Sequence, residues 1–139
     1  MIRQLSLEDY HKGYLDLLSQ LTEVGNVSFD EFKFFYENLN KNHLVLVIEK
    51  DNKIVSTGTL LIENKLIHNC KKVGHIEDIV THKEYRGQKL ASKLISSLKN
   101  TAQQNGCYKV ILNCSEKNKN FYVKKCDFTE KGLCMSEYF

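Results

Sequence analysis

The 139-residue chain carries 20 Lys and Arg against 17 Asp and Glu, for a net charge of +3, and 42% of its residues are hydrophobic, which suits one domain with a real core and lacks the strong basic face of a nucleic-acid binder. No apolar run approaches the ~18 residues of a membrane span, and the opening Met-Ile-Arg-Gln-Leu-Ser has no signal-peptide core, so a cytoplasmic chain is expected. The five cysteines, odd in number and without CxxC spacing, read as reduced thiols, not as disulfides or a zinc site, and no metal is expected.

Residues 2–6 alternate weakly and predict a short first strand. Ser6 and Asp9 have the spacing of a capping box, and Tyr10, Tyr14, Leu17, Leu18 and Leu21 follow at helical spacing until Gly25-Asn26. Ser28 and Glu31 make a second capping box ahead of Phe32, Phe35, Tyr36 and Leu39, a helical stripe whose aromatics read as core packing. Residues 43–49 and 54–63 are rich in β-branched residues and flank Asp51-Asn52-Lys53, which predicts a hairpin. Residues 65–70 are a partly polar connection to a strand over 72–80. A polar loop over 81–89 leads to a helix with Leu90, Leu94, Ile95, Leu98 and Ala102 on one face, ended by Asn105-Gly106. A strand over 108–114, a short helix over 118–125 and a final strand over 128–135 complete the order β-α-α-β-β-β-α-β-α-β. Strand-helix-strand units in the C-terminal half imply parallel neighbours, and the hairpin is antiparallel. The expected class is α/β, a single domain over 1–139 with a central mixed sheet and helices on both faces.

The chemistry concentrates where Gly74-His75-Ile76-Glu77-Asp78-Ile79-Val80 runs into Tyr85-Arg86-Gly87-Gln88-Lys89-Leu90-Ala91. Backbone N–H groups at such a strand-turn-helix junction form a concave anion site, and the helix N-terminus adds partial positive charge. Gly87 lets the backbone approach a ligand closely, and a diphosphate suits the site, although a plain crossover has the same outline. These segments resemble the GNAT acetyltransferase superfamily, whose cofactor loop follows Arg/Gln-x-x-Gly-x-Gly/Ala. Arg86 and Ala91 match, and Lys89 stands where that pattern has Gly. Asn118-Lys119-Asn120-Phe121-Tyr122 resembles the same superfamily's Asn and Phe-Tyr helix. The resemblance implies acetyl-CoA as cosubstrate, held by Ile79, Val80, Arg86, Gly87, Gln88, Lys89, Leu90, Ala91, Asn118, Tyr122 and Lys124, with the Tyr122 hydroxyl near the coenzyme sulfur.

A narrower resemblance covers nearly the whole chain. Residues 20–25, 62–68, 74–80, 106–109 and 115–118 are similar to the glucosamine 6-phosphate N-acetyltransferase family. This implies acceptor contacts at Thr22, Lys65, His68, Glu77, Asp78 and Asn113, a homodimer paired through C-terminal segments, and a place in UDP-N-acetylglucosamine synthesis. Lys65 and His68 can donate to phosphate oxygens, and Glu77 and Asp78 can accept from sugar hydroxyls or the amine. Adjacent carboxylates on a strand point to opposite faces, so only one reaches the reacting centre unless the strand bulges.

The sequence departs from this family in three places. Asn113 replaces an acidic residue, so it cannot be a base. The chain ends Ser136-Glu137-Tyr138-Phe139 where the family carries a phosphate-binding cation. Asp127 replaces the Gly of the turn after Tyr122, in a segment one residue longer, and Asp tolerates the left-handed conformation that such a turn requires. The expected mechanism is direct transfer in a ternary complex. Glu77 is the first choice of base and Asp78 the second, backbone N–H groups near Ile79 and Val80 polarise the thioester carbonyl, and Tyr122 assists the leaving thiolate. The rivals are a GNAT enzyme acting on another small-molecule or protein amine, and a non-catalytic acetyl-CoA-binding domain.

Overall fold

The computed structural model describes residues 1–139. A single five-stranded sheet has the order β1 (Ile2–Gln4), β2 (His43–Lys50), β3 (Lys53–Asn64), β4 (Lys72–Thr81), β5 (Cys107–Ile111). The first four strands pair antiparallel, and β4 with β5 is parallel. The helices are α1 (Tyr14–Leu18), α2 (Phe29–Glu37), α4 (Leu90–Gln104) and α5 (Glu116–Cys126), with a four-residue turn, α3 (Ile67–Cys70), between β3 and β4.

The β2–β3 hairpin turns at Asp51 and Asn52, both with positive φ, the conformation that matches strand twist in two-residue hairpins. Period-2 alternation sends Leu46 and Ile48 to one face and Val45 and Val47 to the other. The first face packs against Leu90, Leu94, Ile95, Leu98 and Ala102 of α4. The second packs against Tyr14, Leu17 and Phe32 of α1 and α2. The sheet is therefore covered on both faces, as the mixed α/β reading requires.

Two expected elements differ. The helical stripe from Tyr10 to Leu21 is split: Leu7–Lys12 forms a 3-10 helix, Gly13 takes a left-handed φ of 78°, and α1 ends at Leu18. Glycine can take that conformation without cost to a Cβ, so periodicity runs across a break it does not reveal. The strand expected over 128–135 does not form; residues 127–139 have no regular structure, and Leu133, Met135, Tyr138 and Phe139 are fully exposed. The outer edge of β5 is open, and the segment does not pair with it.

The N-terminal corner is locked by charge. The Asp9 carboxylate has no exposed side-chain surface and accepts from Arg3 at 2.7 and 2.8 Å and from the Ser6 N–H at 2.8 Å. Arg3 also pairs with Glu49, which accepts from Lys12 at 2.9 Å. Burial pushes the Asp9 carboxyl up, but the Arg3 and Ser6 hydrogen bonds outweigh it and hold it below the ordinary value of 3.8. Arg3→Met leaves that buried charge unpaired. It is expected to cost about 3 kcal/mol by urea unfolding at pH 7, at the low end for a buried pair because Arg3 is 30% exposed. A depressed carboxyl stabilises the fold above its unfolded pKa and ceases to as pH falls through the folded one. The gap between wild type and variant should therefore close below about pH 4. A gap that is absent at pH 7, or unchanged in acid, refutes the assignment.

Candidate active site

Strands β4 and β5 pair only from Lys72↔Cys107 to His75↔Ile111. Beyond this β5 ends while β4 continues to Thr81. The opening between them holds a cavity of about 510 Å3, lined by Leu21, Thr22, Ile76, Glu77, Asp78, Ile79, Leu112, Asn113, Cys114, Ser115, Asn118 and Tyr122.

A β-bulge shapes the β4 wall. Thr59 pairs with Glu77 and Thr57 with Val80, so Asp78 and Ile79 together oppose Gly58. Asp78 takes a left-handed φ of 53°, a conformation Asp tolerates better than most residues. The extra residue flips the alternation: Ile76 packs in the core under α4, whereas Val80, four residues on but three pairs along, packs in the core beside α1. Both carboxylates, Glu77 and Asp78, consequently line the same cavity, which strict alternation would forbid.

The opposite wall comes from α5. Tyr122 packs edge-on against Phe121 and Phe128, because Asp127 turns left-handed at φ 57° and the Phe128 N–H donates to the Tyr122 carbonyl at 3.1 Å. The turn expected at Asp127 therefore forms. Burial, reinforced by the nearby Cys114 and Cys126 thiols, pushes the Tyr122 hydroxyl above its ordinary value of 10. The group keeps its proton and is a donor.

The loop after β4 ends in two left-handed residues, Gly87 at φ 83° and Lys89 at φ 61°. Lys89 is the position where the cofactor pattern carries Gly, and the backbone there is one that Gly adopts freely. No side chain caps the N-terminus of α4, so its first N–H groups are free to meet an anion. Arg86 donates to the Thr81 carbonyl at 3.2 Å, and Lys50 donates to the Gln88 amide at 2.6 Å. The Gln20 side chain accepts from the Lys83 N–H at 2.9 Å, which ties the 20–25 segment to this loop.

The acetyltransferase (GNAT) family profile matches residues 2–128. The chain belongs to the GNAT acetyltransferase family. It is 43% identical to the glucosamine 6-phosphate N-acetyltransferase of Arabidopsis thaliana, over 99% of this chain and 95% of that one. It is 44% identical to glucosamine 6-phosphate N-acetyltransferase 1 of Dictyostelium discoideum, over 98% and 88%. The crystal structure of the Arabidopsis thaliana enzyme superposes with a TM-score of 0.97 at 42% identity, covering 100% of this chain and 97% of the other. The resemblance carried by the 86–91 loop and the Asn118–Tyr122 segment is thus to the right family.

This GNAT chain brings Thr22, Glu77, Asp78, Ile79, Asn113, Asn118 and Tyr122 together around one cavity. Val80 is buried just beyond, and Leu90 is the first core residue of α4. Arg86, Gly87, Gln88, Lys89 and Ala91 form the loop and helix start. Lys124 is exposed on α5 and does not line the cavity.

Lys65 and His68 also lie outside the cavity. They belong to the turn between β3 and β4, before the end of β4 that lies farther from Glu77 and Asp78. Lys65 pairs with Glu63 at 3.2 Å, and the His68 ring stacks on Tyr108 at 4.2 Å. Three consecutive left-handed residues, His68, Asn69 and Cys70, hold this turn. No group of three or more His, Cys, Asp or Glu is placed to hold a metal ion. Leu21, Leu112, Cys114 and Ser115 line the cavity without having been singled out. Their signal was positional, since each neighbours a strand end or the 20–25 segment.

Proposed function

We infer that the chain transfers the acetyl group of acetyl-CoA to the amine of D-glucosamine 6-phosphate, releasing CoA and N-acetylglucosamine 6-phosphate, a precursor for UDP-N-acetylglucosamine synthesis. The observation that carries this reading is near-full-length identity of 43% to an enzyme of that name, together with a cavity that joins two carboxylates, two amide side chains and a protonated tyrosine.

The amine attacks the thioester carbonyl while both substrates are bound; a C–N bond forms and the C–S bond breaks. An amine flanked by oxygen-bearing carbons titrates near ~7–8, so a weak base suffices to take its proton. Glu77 remains the first choice and Asp78 the second. The backbone N–H groups of Ile79, in the bulge, and Val80, just after it, are the candidates to meet the oxyanion. Tyr122 gives its proton to the departing thiolate. Free N–H groups at the start of α4, with Arg86 and Lys89 beside them, hold the coenzyme diphosphate.

The same reading includes a homodimer. A single chain leaves Leu61, Leu66, Ile67 and Ile111 exposed along the β3–β5 end of the sheet, and Leu133, Met135, Tyr138 and Phe139 on an unpaired tail. A second copy would cover this surface. It would also bring Lys65 and His68, which do not line the cavity of their own chain, to the neighbouring one.

The test is thiol release from acetyl-CoA against a panel of amines. Turnover of glucosamine 6-phosphate well above that of glucosamine supports the assignment. No preference for the phosphorylated sugar leaves a GNAT enzyme with a different amine acceptor.

A further inference from the structure

We propose that Gly58 is a positioning residue for acetyl transfer, holding the β4 bulge so that the Ile79 amide faces the reacting carbonyl. It touches neither substrate, and the proposal rests on the reading that bulge N–H groups polarise the thioester.

Gly58 is the single β3 residue opposite both Asp78 and Ile79. Its φ is not in the left-handed region, so glycine is not required there for backbone freedom. It is required for space. A Cβ at position 58 would lie 2.4 Å from Ile79 Cδ1, 3.0 Å from Leu94 Cδ2 and 3.2 Å from Leu98 Cδ1. The Ile79 side chain thus fills the gap left by the missing methyl group and is held there against α4.

Two constraints then fix Ile79. The left-handed Asp78 sets the direction in which the chain enters it, and the gap over Gly58 receives its side chain. A methyl group at 58 forces a choice of what moves. Leu94 and Leu98 are fully buried among the α4 core, where packing density leaves no room. Ile79 is half-buried on the cavity wall, with open space beside it. Ile79 Cδ1 therefore leaves the gap, and the packing that anchors Ile79, and with it the direction of its N–H, is lost.

The experiment compares Gly58→Ala with the double variants Gly58→Ala/Ile79→Val and Gly58→Ala/Leu98→Val. Each is read by kcat, by acetyl-CoA Kd from calorimetry and by Tm. Removing a whole oxyanion donor lowers kcat by about 10²–10³, and misdirecting one should lower it by about tenfold. Acetyl-CoA Kd should stay within about threefold, because the α4 N-terminus is untouched. Ile79→Val removes the clashing Cδ1 and should restore most of kcat, whereas Leu98→Val should not.

A normal kcat in Gly58→Ala overturns the proposal. So does equal rescue by the two second changes, which would make Gly58 a packing residue only. Should Gly58→Ala fail to fold, the two double variants alone decide, with the same expected and overturning outcomes. If the panel identifies a different amine, the same comparison is made with that amine, so an error in the acceptor is distinguished from an error about the bulge.

Discussion

Tyr122→Phe is expected to lower kcat about a hundredfold while leaving acetyl-CoA affinity within a factor of about two. General acids typically contribute 10²–10⁴, and the ring that the variant retains keeps its packing on Phe121 and Phe128. Burial raises the Tyr122 hydroxyl above 10, so the donor stays protonated across the physiological range. An alkaline limb in kcat that belongs to Tyr122 should therefore appear only above the ordinary tyrosine value, and the phenylalanine variant should lack it. Single-turnover rates measured across pH read both effects. An unchanged kcat would leave Tyr122 as a packing residue that shapes the cavity, with solvent protonating the thiolate.

The elements that could be read from sequence are those whose signal is local. Leu90, Leu94, Ile95, Leu98 and Ala102 mark α4 because all five face the core at helical spacing. Asp51-Asn52 marks the hairpin because both residues tolerate the positive φ they adopt. The bulge at Asp78 was not legible, since alternation says which residues share a face only while no residue is inserted. Two adjacent carboxylates assigned to one site were the hint that it had to exist. An isolated Gly58 within a strand pattern was a second hint, because such a glycine marks a bulge or a close approach.

The failed strand over 128–135 has a different cause. Leu133 and Met135 alternate as a strand should, but alternation does not say whether a segment pairs, and this one leaves the outer edge of β5 open. The resemblance implies Lys65 and His68 at the acceptor, whereas neither lines the cavity of its own chain. Gly13 breaks a stripe whose period continues on both sides of it, so the break is visible only in the backbone.

Lys65→Ala is expected to lower kcat/KM for glucosamine 6-phosphate by roughly ten- to a hundredfold, the equivalent of one charge-assisted hydrogen bond of about 1.5–3 kcal/mol. Unphosphorylated glucosamine should be turned over nearly as before, and acetyl-CoA KM should not move, because the 86–91 loop is a separate element. Within its own chain Lys65 pairs with Glu63 at 3.2 Å, which His75 also contacts at 3.0 Å, and on the dimer reading it serves the phosphate in the other copy's site. That arrangement has its own consequence. Mixing Lys65→Ala chains with Glu77→Gln chains should regain activity, because one site in each mixed dimer takes Glu77 from one protomer and Lys65 from the other. Random pairing makes half of the dimers mixed and repairs one of the two sites in each, so roughly a quarter of wild-type activity should return. If Lys65 acts within its own chain, mixing restores nothing, and if both sugars lose activity equally, Lys65 serves the β3–β4 turn instead of the phosphate.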